Sequence, residues 1–459
     1  MNPGAPKNCD VYTRLVSGIL FPLHERIKKH ASVSIRKEME VSQWWDQQQL
    51  EQFQLCKLQR LLARVQERVP YYRRLFAETG VRAEDIRSLA DLARLPFLDK
   101  AAIRGNLEAL KSDNGESLAR FNTGGSSGEP LIFYISKERI SHDVAAKWRA
   151  TRWWNVDIGD QEIVVWGSPI ELGAQDNLRA FRDRMLRTRL LPAFEMSDNK
   201  LDRFLEEISA VRPKMLFGYP SALSHIARHA EASGRNMDRL GIRVAFVTSE
   251  RLYDEQRRQI SNTFGCPVAN GYGGRDAGFI AHECPHGGMH ITAEDIIVEI
   301  VDQQGAPLPA GRAGEIVVTH LATGDFPFIR YRTGDIGVLE SNPCACGRGL
   351  PLLKEIQGRS TDFVVARNGA VMHGLALIYV LRDLPGIRSF KIVQESLDLT
   401  RVLVVSENGL SPEFVGKIES GFKARLGQEV KIAVKEVPEI PVEKSGKFRY
   451  VVSKIAARA

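Results

Sequence analysis

The spacing of apolar residues predicts helices and strands that alternate through the middle of the chain. Between residues 45 and 69, leucines and valines recur at helical spacing, and Pro70 ends this pattern. Asp99 stands where it would cap a short helix that begins at Lys100. Apolar runs predict strands at 213–219, 242–249 and 267–274, and the segments from Ser221 to Ser233 and from 253 to 264 predict helices.

Strands that alternate with helices in this way indicate parallel βαβ units, in which ligands bind beyond the carboxyl ends of the strands. Those ends are Gly218 to Pro220, Thr248 to Glu250 and Gly271 to Asp276. Beyond residue 290, apolar alternation around a Gln-Gly turn predicts antiparallel strands. We therefore expect an α/β protein. Its large domain, 1–357, would hold mixed, mostly parallel sheets with helices and a β-rich subdomain, and a small α+β domain would occupy 358–459.

Composition and charge narrow the class of protein. The 459 residues exceed what one compact core holds, and 43% hydrophobic and 26% charged residues are ordinary for a globular chain. The net charge of +7 suits an anionic small-molecule substrate and is weak evidence for nucleic acid.

The apolar patch at 16–23 is too short for a membrane span and has no cleavage-type site after it, so we expect a cytoplasmic protein. Basic residues follow this patch, which is compatible with a membrane surface, although packing on its own domain is the simpler expectation.

A loop rich in glycine and serine precedes a predicted strand. Its residues are Thr123, Gly124, Gly125, Ser126, Ser127 and Gly128. Glycine permits positive φ angles, so successive backbone N–H groups can converge on an anion such as phosphate. The loop is not a Walker motif, because no Lys-Ser or Lys-Thr pair follows the last glycine. Taken alone, such a loop is more often an exposed connector.

Four further segments contain residues of interest. Asp276 lies in NGYGGRDAG (270–278), Asp335 ends FIRYRTGD (328–335), Arg359 ends QGR (357–359) and Lys447 lies in PVEKSGKFRYVV (441–452). Each segment alone also fits a turn, a capped strand or a solvated basic tail. Their order and spacing, together with the glycine-serine loop, are hard to explain as coincidence.

With these motifs the chain resembles the adenylate-forming superfamily of acyl-CoA synthetases, luciferases and peptide-synthetase adenylation domains. The segments VPYYRRLF (69–76) and LPFLDKAAIR (95–104) resemble its phenylacetate–CoA ligase branch, which includes capsule-biosynthesis relatives. The resemblance extends from about residue 60 to the end of the sequence. It implies an AMP-forming ligase whose small C-terminal domain is mobile about a hinge at 360–362.

The resemblance also implies how Mg-ATP is bound. Thr123 to Gly128 would hold the β- and γ-phosphates, and Tyr272, flanked by Gly271 and Gly273, would stack on adenine. Asp276 would hold Mg²⁺, Asp335 would accept hydrogen bonds from both ribose hydroxyls, and Arg359 would contact the ribose. Most relatives have Thr or Ser followed by Glu where this chain has Arg275-Asp276. Arg275 would contact phosphate or pair with Asp276.

Lys447 resembles the C-terminal lysine that bridges the substrate carboxylate and the α-phosphate. Because the reaction brings two anions together, an ammonium group and Mg²⁺ would stabilise its transition state. A carboxylic acid and ATP would then give an acyl-adenylate and pyrophosphate. The acyl group would pass to a thiol, usually coenzyme A, although a carrier-protein thiol, an amine and an alcohol remain open.

The residues at the predicted strand ends would line the pocket for the acid. They are Trp166, Gly167, Phe217, Tyr219, Pro220 and Gly271. Aromatic and small residues suit a flat aryl or modest acyl group. An aromatic residue at a strand end is also often ordinary core, so the sequence predicts no particular acid.

Four residues have the donor atoms of a structural zinc site: Cys284, His290, Cys344 and Cys346. Three thiolates and an imidazole make a closed tetrahedral site, which leaves no open position for catalysis. Similar sets occur in part of the phenylacetate–CoA ligase branch. His282 and His286 compete with His290 as the fourth ligand, and the alternative is four separate residues with buried free thiols.

Two other functions remain open from the sequence. A non-catalytic nucleotide-binding scaffold of a biosynthetic complex is favoured by Arg275-Asp276 and disfavoured by Lys447. A zinc-containing nucleic-acid-binding protein would fit the basic balance, but the basic residues are spread along the chain and no nucleic-acid motif is recognised. The oligomeric state, monomer or homodimer, is not predicted.

Overall fold

The computed structural model describes residues 10–113, 118–123, 131–166, 182–193, 196–359, 363–368, 371–382, 384–407, 409–440 and 449–455. The chain forms two compact units. The larger unit contains most of the chain up to Thr333 and the segment Val338–Glu355. The smaller unit contains Gly334–Gly337 and most of the chain from Ile356 onward.

Helices dominate the first described part of the larger unit. They are α1 (Val11–Leu15), a π-helical turn (Val16–Leu20), α2 (Phe21–Ile27), α3 (Ser32–Ser42), α4 (Gln47–Arg68), α5 (Pro70–Thr79), two 3₁₀ turns (Ala83–Asp85 and Leu89–Arg94) and α6 (Lys100–Gly105). The helix predicted at 45–69 is confirmed as α4, which begins at a capping box formed by Asp46 and Gln49. The predicted cap of α6 is also confirmed, because the Asp99 carboxylate accepts a hydrogen bond of 2.7 Å from the Ala102 backbone N–H.

A large mixed sheet follows a small antiparallel ribbon. The ribbon is β1 (Ala119–Asn122) with β2 (Ile132–Ile135), and α7 (Lys137–Arg152) comes directly after it. The strands of the large sheet are β3 (Glu162–Trp166), β4 (Thr188–Pro192), β5 (Met215–Gly218), β6 (Val244–Thr248), β7 (Val268–Gly274), β8 (Gly278–Glu283), β9 (Met289–Ile291), β10 (Ile296–Val301), β11 (Ala313–His320), β12 (Tyr331–Glu340) and β13 (Leu352–Arg359). Their order is β10-β11-β12-β13-β9-β8-β7-β6-β5-β3-β4.

The parallel half of this sheet has the predicted βαβ arrangement. Strands β3, β5, β6 and β7 pair in parallel, and the intervening helices Pro220–Ala232 and Asp254–Phe264 fall where the apolar spacing placed them. Gly265 ends the second helix with φ +60°, and a Cβ there would lie 2.5 Å from the Asp238 carbonyl oxygen. The strands predicted beyond residue 290 are antiparallel, as β10 and β11 show.

Each face of the parallel strands is buried. On one face the strands pack against the helices Asp198–Val211, Pro220–Ala232 and Asp254–Phe264. On the other face Phe217, Phe246 and Ala269 pack with Ala150 and Trp153 at the end of α7. Burial on both faces explains why these strands read as nearly continuous apolar runs.

The smaller unit is an α+β structure. Its main sheet has the order β18 (Lys431–Glu436), β17 (Leu399–Ser406), β16 (Ile387–Ser396), β19 (Val451–Ser453), and β14 (Phe363–Val365) pairs with β15 (Val371–His373). The helices Leu375–Arg382 and Pro412–Leu426 contribute to its core, where Phe422 and Val402 are fully buried. Across all the described residues, no helix combines the length and apolar character that crossing a membrane requires.

Candidate active site and metal centre

Hydrogen bonds between Thr123 and Leu131 join the two chain segments that flank the glycine-serine loop. The Thr123 backbone N–H donates to the Leu131 carbonyl over 3.0 Å, and the Thr123 hydroxyl accepts from the Leu131 N–H over 2.9 Å. The last register pair of the ribbon, Asn122 with Ile132, lies directly beside them. Thr123 therefore fixes the ends of the predicted phosphate loop. The predicted residues Gly124, Gly125, Ser126, Ser127 and Gly128 lie outside the described residues.

The segment NGYGGRDAG forms the end of β7, a turn and the start of β8. Gly271 is buried, and a Cβ there would lie 2.8 Å from Cε1 of Phe246. Gly273 faces the Gly278 carbonyl oxygen, which a Cβ would approach to 2.1 Å. Tyr272, between them, is partly buried. Two positions of this segment thus require glycine because neighbouring atoms occupy the space of a side chain.

The carboxylate of Asp276 is held in a defined position after this turn. Its Oδ2 accepts a hydrogen bond of 2.7 Å from the buried phenol of Tyr331, and its Oδ1 accepts one of 3.0 Å from the Ala277 backbone N–H. Oδ1 also lies over Gly274, where a Cβ would come within 2.6 Å of it. The neighbouring Arg275 is exposed. Tyr331 lies in the quoted segment FIRYRTGD, but its role depends on β12 returning to this place and was not predicted.

The same turn is also held by Arg139, a residue that the sequence analysis did not identify. Arg139 of α7 is buried, and its guanidinium lies 3.4 Å from the Asp276 carbonyl oxygen and 3.5 Å from that of Arg275. Its Nε donates to Asp143 over 2.9 Å. No local pattern marks the role of Arg139 at this turn, because the two carbonyl groups that it contacts lie more than a hundred residues away in the sequence.

Asp143 connects Arg139 to a buried histidine. His320 Nε2 lies 3.9 Å from Asp143, and His320 Nδ1 accepts a hydrogen bond of 3.2 Å from the Ala322 N–H. Burial lowers the pKa of His320 to about 4, so the imidazole is neutral at neutral pH. Burial alone would raise the pKa of Asp143, but Arg139 and His320 together lower it. The turn at 275–276 therefore rests on a buried polar network whose charge is carried by Arg139 and Asp143.

The remaining predicted nucleotide and catalytic residues belong to a different part of the chain. Asp335 is partly buried on β12, within the segment Gly334–Gly337 of the smaller unit. Arg359 is the last residue of β13. Lys447 lies outside the described residues, as do the hinge residues 360–362.

Aromatic side chains converge at the carboxyl ends of the parallel strands. The rings of Trp166 and Tyr219 stack with centroids 4.3 Å apart, and Phe217 packs against both Trp166 and Phe246. Pro220 begins the helix that follows β5, and Gly167 lies outside the described residues. The predicted pocket residues Trp166, Phe217 and Tyr219 are thus brought together.

His282 adds a polar group beside these rings. It is fully buried between Phe246 and Phe279, and neither ring nitrogen has a hydrogen-bond partner among the described residues. It pairs across the strands with Gly271, and a Cβ on that glycine would lie 3.6 Å from His282 Cδ2. The sequence indicated His282 only as a competing metal ligand. Its place beside Gly271 follows from the antiparallel register of β7 and β8.

The four predicted metal ligands lie together within the larger unit. One donor atom of each of Cys284, His290, Cys344 and Cys346 lies within 4.8 Å of those of the other three. Cys284 Sγ is 3.7 Å from Cys344 Sγ, and Cys346 Sγ is 3.2 Å from His290 Nε2. Neither His282 nor His286 belongs to this group.

The surroundings of this cluster suit a tetrahedral metal site. The sulfur separation of 3.7 Å is close to the edge of a tetrahedron whose metal–sulfur bonds are about 2.3 Å long. His290 Nδ1 lies 3.3 Å from the Leu350 carbonyl, which orients Nε2 toward the thiols. Burial lowers the pKa of His290 to about 4, so its imidazole has the neutral form that binds metals. Gly288 leaves room for the cluster, because a Cβ there would lie 2.6 Å from Cys344 Sγ.

Comparison with protein-family models identifies two matching regions. Residues 111–323 match the model described as AMP-binding enzyme, and residues 364–454 match the model described as CapK C-terminal domain. The first region contains β1 to β11 and the Asp276 turn. Most of the second lies within the smaller unit.

Similar proteins cover most of the chain. A phenylacetate-coenzyme A ligase of Thermus thermophilus is 27% identical over 389 residues, which are 82% of each chain. Protein CapK of Staphylococcus aureus is 23% identical over 444 residues, which are 96% of each chain. Among solved structures, a 2-hydroxyisobutyryl-CoA ligase in the postadenylation state, in complex with R3-HIB-AMP, has a TM-score of 0.72 at 21% identity and covers 90% of this chain and 91% of that one. This last likeness is one of fold.

Proposed function

Because the chain belongs to the adenylate-forming superfamily of AMP-binding enzymes, in the branch of phenylacetate–CoA ligases and CapK, we propose that it is an acid–thiol ligase that forms AMP. It would activate a carboxylic acid with Mg-ATP and transfer the acyl group to a thiol such as coenzyme A. In this proposal the region 1–357 binds ATP and the acid, and the mobile region 358–459 carries the catalytic lysine. The reaction would take place in the cytoplasm.

The position of the Asp276 carboxylate is the observation that carries the proposal. Tyr331 and the Ala277 N–H each donate to one of its oxygens, at the carboxyl end of a parallel strand where ligands bind in such sheets. A carboxylate fixed in this way keeps lone pairs on both oxygens for a hard cation. This geometry supports Asp276 as the residue that would hold Mg²⁺. In the proposal, Arg275 would contact phosphate or pair with Asp276.

The other residues would divide the binding of ATP among them. The loop from Thr123 to Gly128 would accept the β- and γ-phosphates on its backbone N–H groups, and Tyr272 would stack on adenine beside Gly271 and Gly273. Asp335 and Arg359 would bind the ribose. The two hydrogen bonds between Thr123 and Leu131 support this assignment, since they fix the positions at which the loop begins and ends.

In the first step a carboxylate oxygen of the acid would attack the α-phosphorus of ATP, and the bond from that phosphorus to the bridging oxygen of pyrophosphate would break. The Lys447 ammonium would lie between the carboxylate and the α-phosphate and reduce the repulsion between the two anions. Mg²⁺ would supply further positive charge against the phosphates. A thiolate, in our proposal that of coenzyme A, would then attack the acyl carbon and displace AMP.

The acid would be a flat aryl or modest acyl carboxylate. The stacked rings of Trp166 and Tyr219 and the adjoining Phe217 support an apolar site, and Gly271 lets the Phe246 ring pack beside them. The acids after which the relatives and the structural neighbour are named, phenylacetate and 2-hydroxyisobutyrate, fall in this range of sizes. Both acids therefore belong in the first substrate panel.

We also propose that Cys284, His290, Cys344 and Cys346 hold a structural zinc ion. Three sulfurs and one imidazole nitrogen, all within 4.8 Å of one another, would complete a four-coordinate site. No coordination position would then remain for a substrate. The ion would join the β8–β9 turn to the segment before β13 and would stabilise the fold without entering the reaction.

ATP–pyrophosphate exchange with Mg²⁺ tests the proposed function. We expect exchange with one class among phenylacetate, benzoate, 2-hydroxyisobutyrate, fatty acids and sugar acids. Lys447→Ala should lower it about a hundredfold, whereas the neighbouring Lys444→Ala should leave it nearly unchanged. Binding of ATP without exchange for any acid would instead favour the non-catalytic scaffold. The release of AMP with and without coenzyme A, measured afterwards, shows whether coenzyme A or another nucleophile is the acceptor.

A further inference from the structure

The first helical segment of the chain has an apolar stripe on its solvent side. Segments α1, the π turn and α2 follow one another without a break from Val11 to Ile27. Five apolar residues at intervals of four are exposed: Val11 (84%), Leu15 (43%), Ile19 (59%), Leu23 (55%) and Ile27 (74%). Apolar side chains this large and this exposed, arranged in a row, mark an interaction surface more often than chance.

The π turn keeps these residues in a row. An α-helix has about 3.6 residues per turn, so a spacing of four residues drifts around its axis. The π turn at Val16–Leu20 is wider and reduces this drift over the middle of the segment. The opposite side is anchored to the protein, because Val16 and Phe21 are buried and Thr13 bonds to Asp160 over 3.0 Å.

Positive charge lies along one side of the stripe and beyond its C-terminal end. The exposed Arg14 and Arg26 lie on the helical segment, and Lys28 and Lys29 follow it directly. The exposed acid at its start, Asp10, forms an ion pair of 2.8 Å with Arg187. The other acid of the segment, Glu25, is buried and bonded to Ser32 and two histidines, so it faces away from solvent.

We infer that this stripe binds the surface of an anionic lipid bilayer. A helix with exposed apolar residues and a basic border lies in the plane of a membrane, with the apolar side chains below the headgroups and the cations among them. At about 1.5 Å per residue the segment is roughly 25 Å long, which suits this orientation. A second copy of the chain is the less suitable occupant, because a symmetric contact would bring the same four cations against each other.

Sedimentation of the full-length protein with vesicles tests the inference. Phosphatidylcholine vesicles with and without phosphatidylglycerol are compared at low and high salt. We expect binding to the anionic vesicles, weaker binding to the neutral ones and a loss of affinity at high salt. The double variant Ile19→Asp/Leu23→Asp should bind the anionic vesicles at least about tenfold more weakly, and Arg26→Glu/Lys28→Glu should remove most of the preference for them.

Controls separate membrane binding from other causes. Leu397→Asp replaces an exposed leucine outside the stripe and should bind like the wild type. Circular dichroism shows whether the double variant is folded, and it does not depend on the proposed reaction. ATP–pyrophosphate exchange is a second check of the folded state. Equal binding of wild type and double variant, or no binding to anionic vesicles, would overturn it. A dimer that the same double variant dissociates in light scattering would also overturn it and assign the stripe to self-association.

Discussion

The phenol of Tyr331 donates a hydrogen bond of 2.7 Å to Oδ2 of Asp276, across 55 residues of sequence. Removing this donor should loosen the carboxylate that we assign to Mg²⁺. For Tyr331→Phe we expect adenylation to fall about tenfold, since a hydrogen bond to a charged group contributes about 1.5–3 kcal/mol and part of this is regained from solvent. ATP–pyrophosphate exchange at increasing Mg²⁺ measures the effect, and added Mg²⁺ should restore part of the activity.

Tyr71→Phe is the matched control for this variant, because Tyr71 packs on Tyr72 and is not among the described hydrogen-bond donors to Asp276. It should retain wild-type exchange. If Tyr331→Phe shows the same rate and the same Mg²⁺ dependence as wild type, Asp276 is either held adequately by Ala277 alone or does not bind the metal.

The sequence predicts those parts of the fold that depend on local spacing. Helix α4 and strands β5, β6 and β7 were predicted because their apolar residues recur at regular intervals, and the parallel pairing follows from the intervening helices. The contacts of Asp276 could not be predicted in the same way. Tyr331 and Arg139 reach it from β12 and α7, and only the assembled sheet brings those elements together.

The metal ligands illustrate the same limit. Spacing within the pairs Cys284–His290 and Cys344–Cys346 made them candidates, although 60 residues separate the two cysteines whose sulfurs meet. The choice of His290 over His282 needed the strand register. His282 pairs with His290 in the β8–β9 register, but its ring packs between Phe246 and Phe279 beside Gly271 and is not part of the group of four donor atoms.

Gly271→Ala tests the proposed acid pocket. The added Cβ would lie 2.8 Å from Phe246 Cε1 and must displace that ring or narrow the space in front of it. We expect the KM for an aryl acid to rise about tenfold and the KM for a small acid to change much less, because overpacking costs about 1–3 kcal/mol. Steady-state exchange with both acids measures this difference.

Gly105→Ala is the control for Gly271→Ala, since a Cβ at Gly105 meets no heavy atom within 4 Å. Equal changes in KM for large and small acids would indicate that Gly271 does not line the acid pocket. A change in the KM for ATP alone would assign Gly271 to the nucleotide.

Cys344→Ser tests the proposed zinc site. Metal analysis of the purified wild type should find one zinc per chain, and the variant should contain far less. Because metal binding contributes several kcal/mol to folding in structural sites, we expect the thermal midpoint to fall by at least about 5 °C. Cys56→Ser replaces an exposed cysteine on α4 and should change neither quantity. A wild-type protein that is stable, active and free of zinc after purification would contradict the assignment.

The pH dependence of stability should include a contribution from His320. Burial lowers its pKa to about 4, whereas an unfolded histidine has a pKa of about 6.5. Between these values the unfolded state binds more protons, so the unfolding free energy falls as the pH falls, by at most about 1.4 kcal/mol per pH unit for this group. Arg139 opposes protonation of His320, while Asp143 and Asp295 favour it.

His320→Asn keeps an acceptor for the Ala322 N–H but cannot become charged, so its thermal midpoint should fall less than that of the wild type on acidification from neutral pH. His286→Asn, at an exposed histidine, is the control and should follow the wild type. Parallel curves for wild type and His320→Asn would show that His320 does not titrate differently in the folded protein.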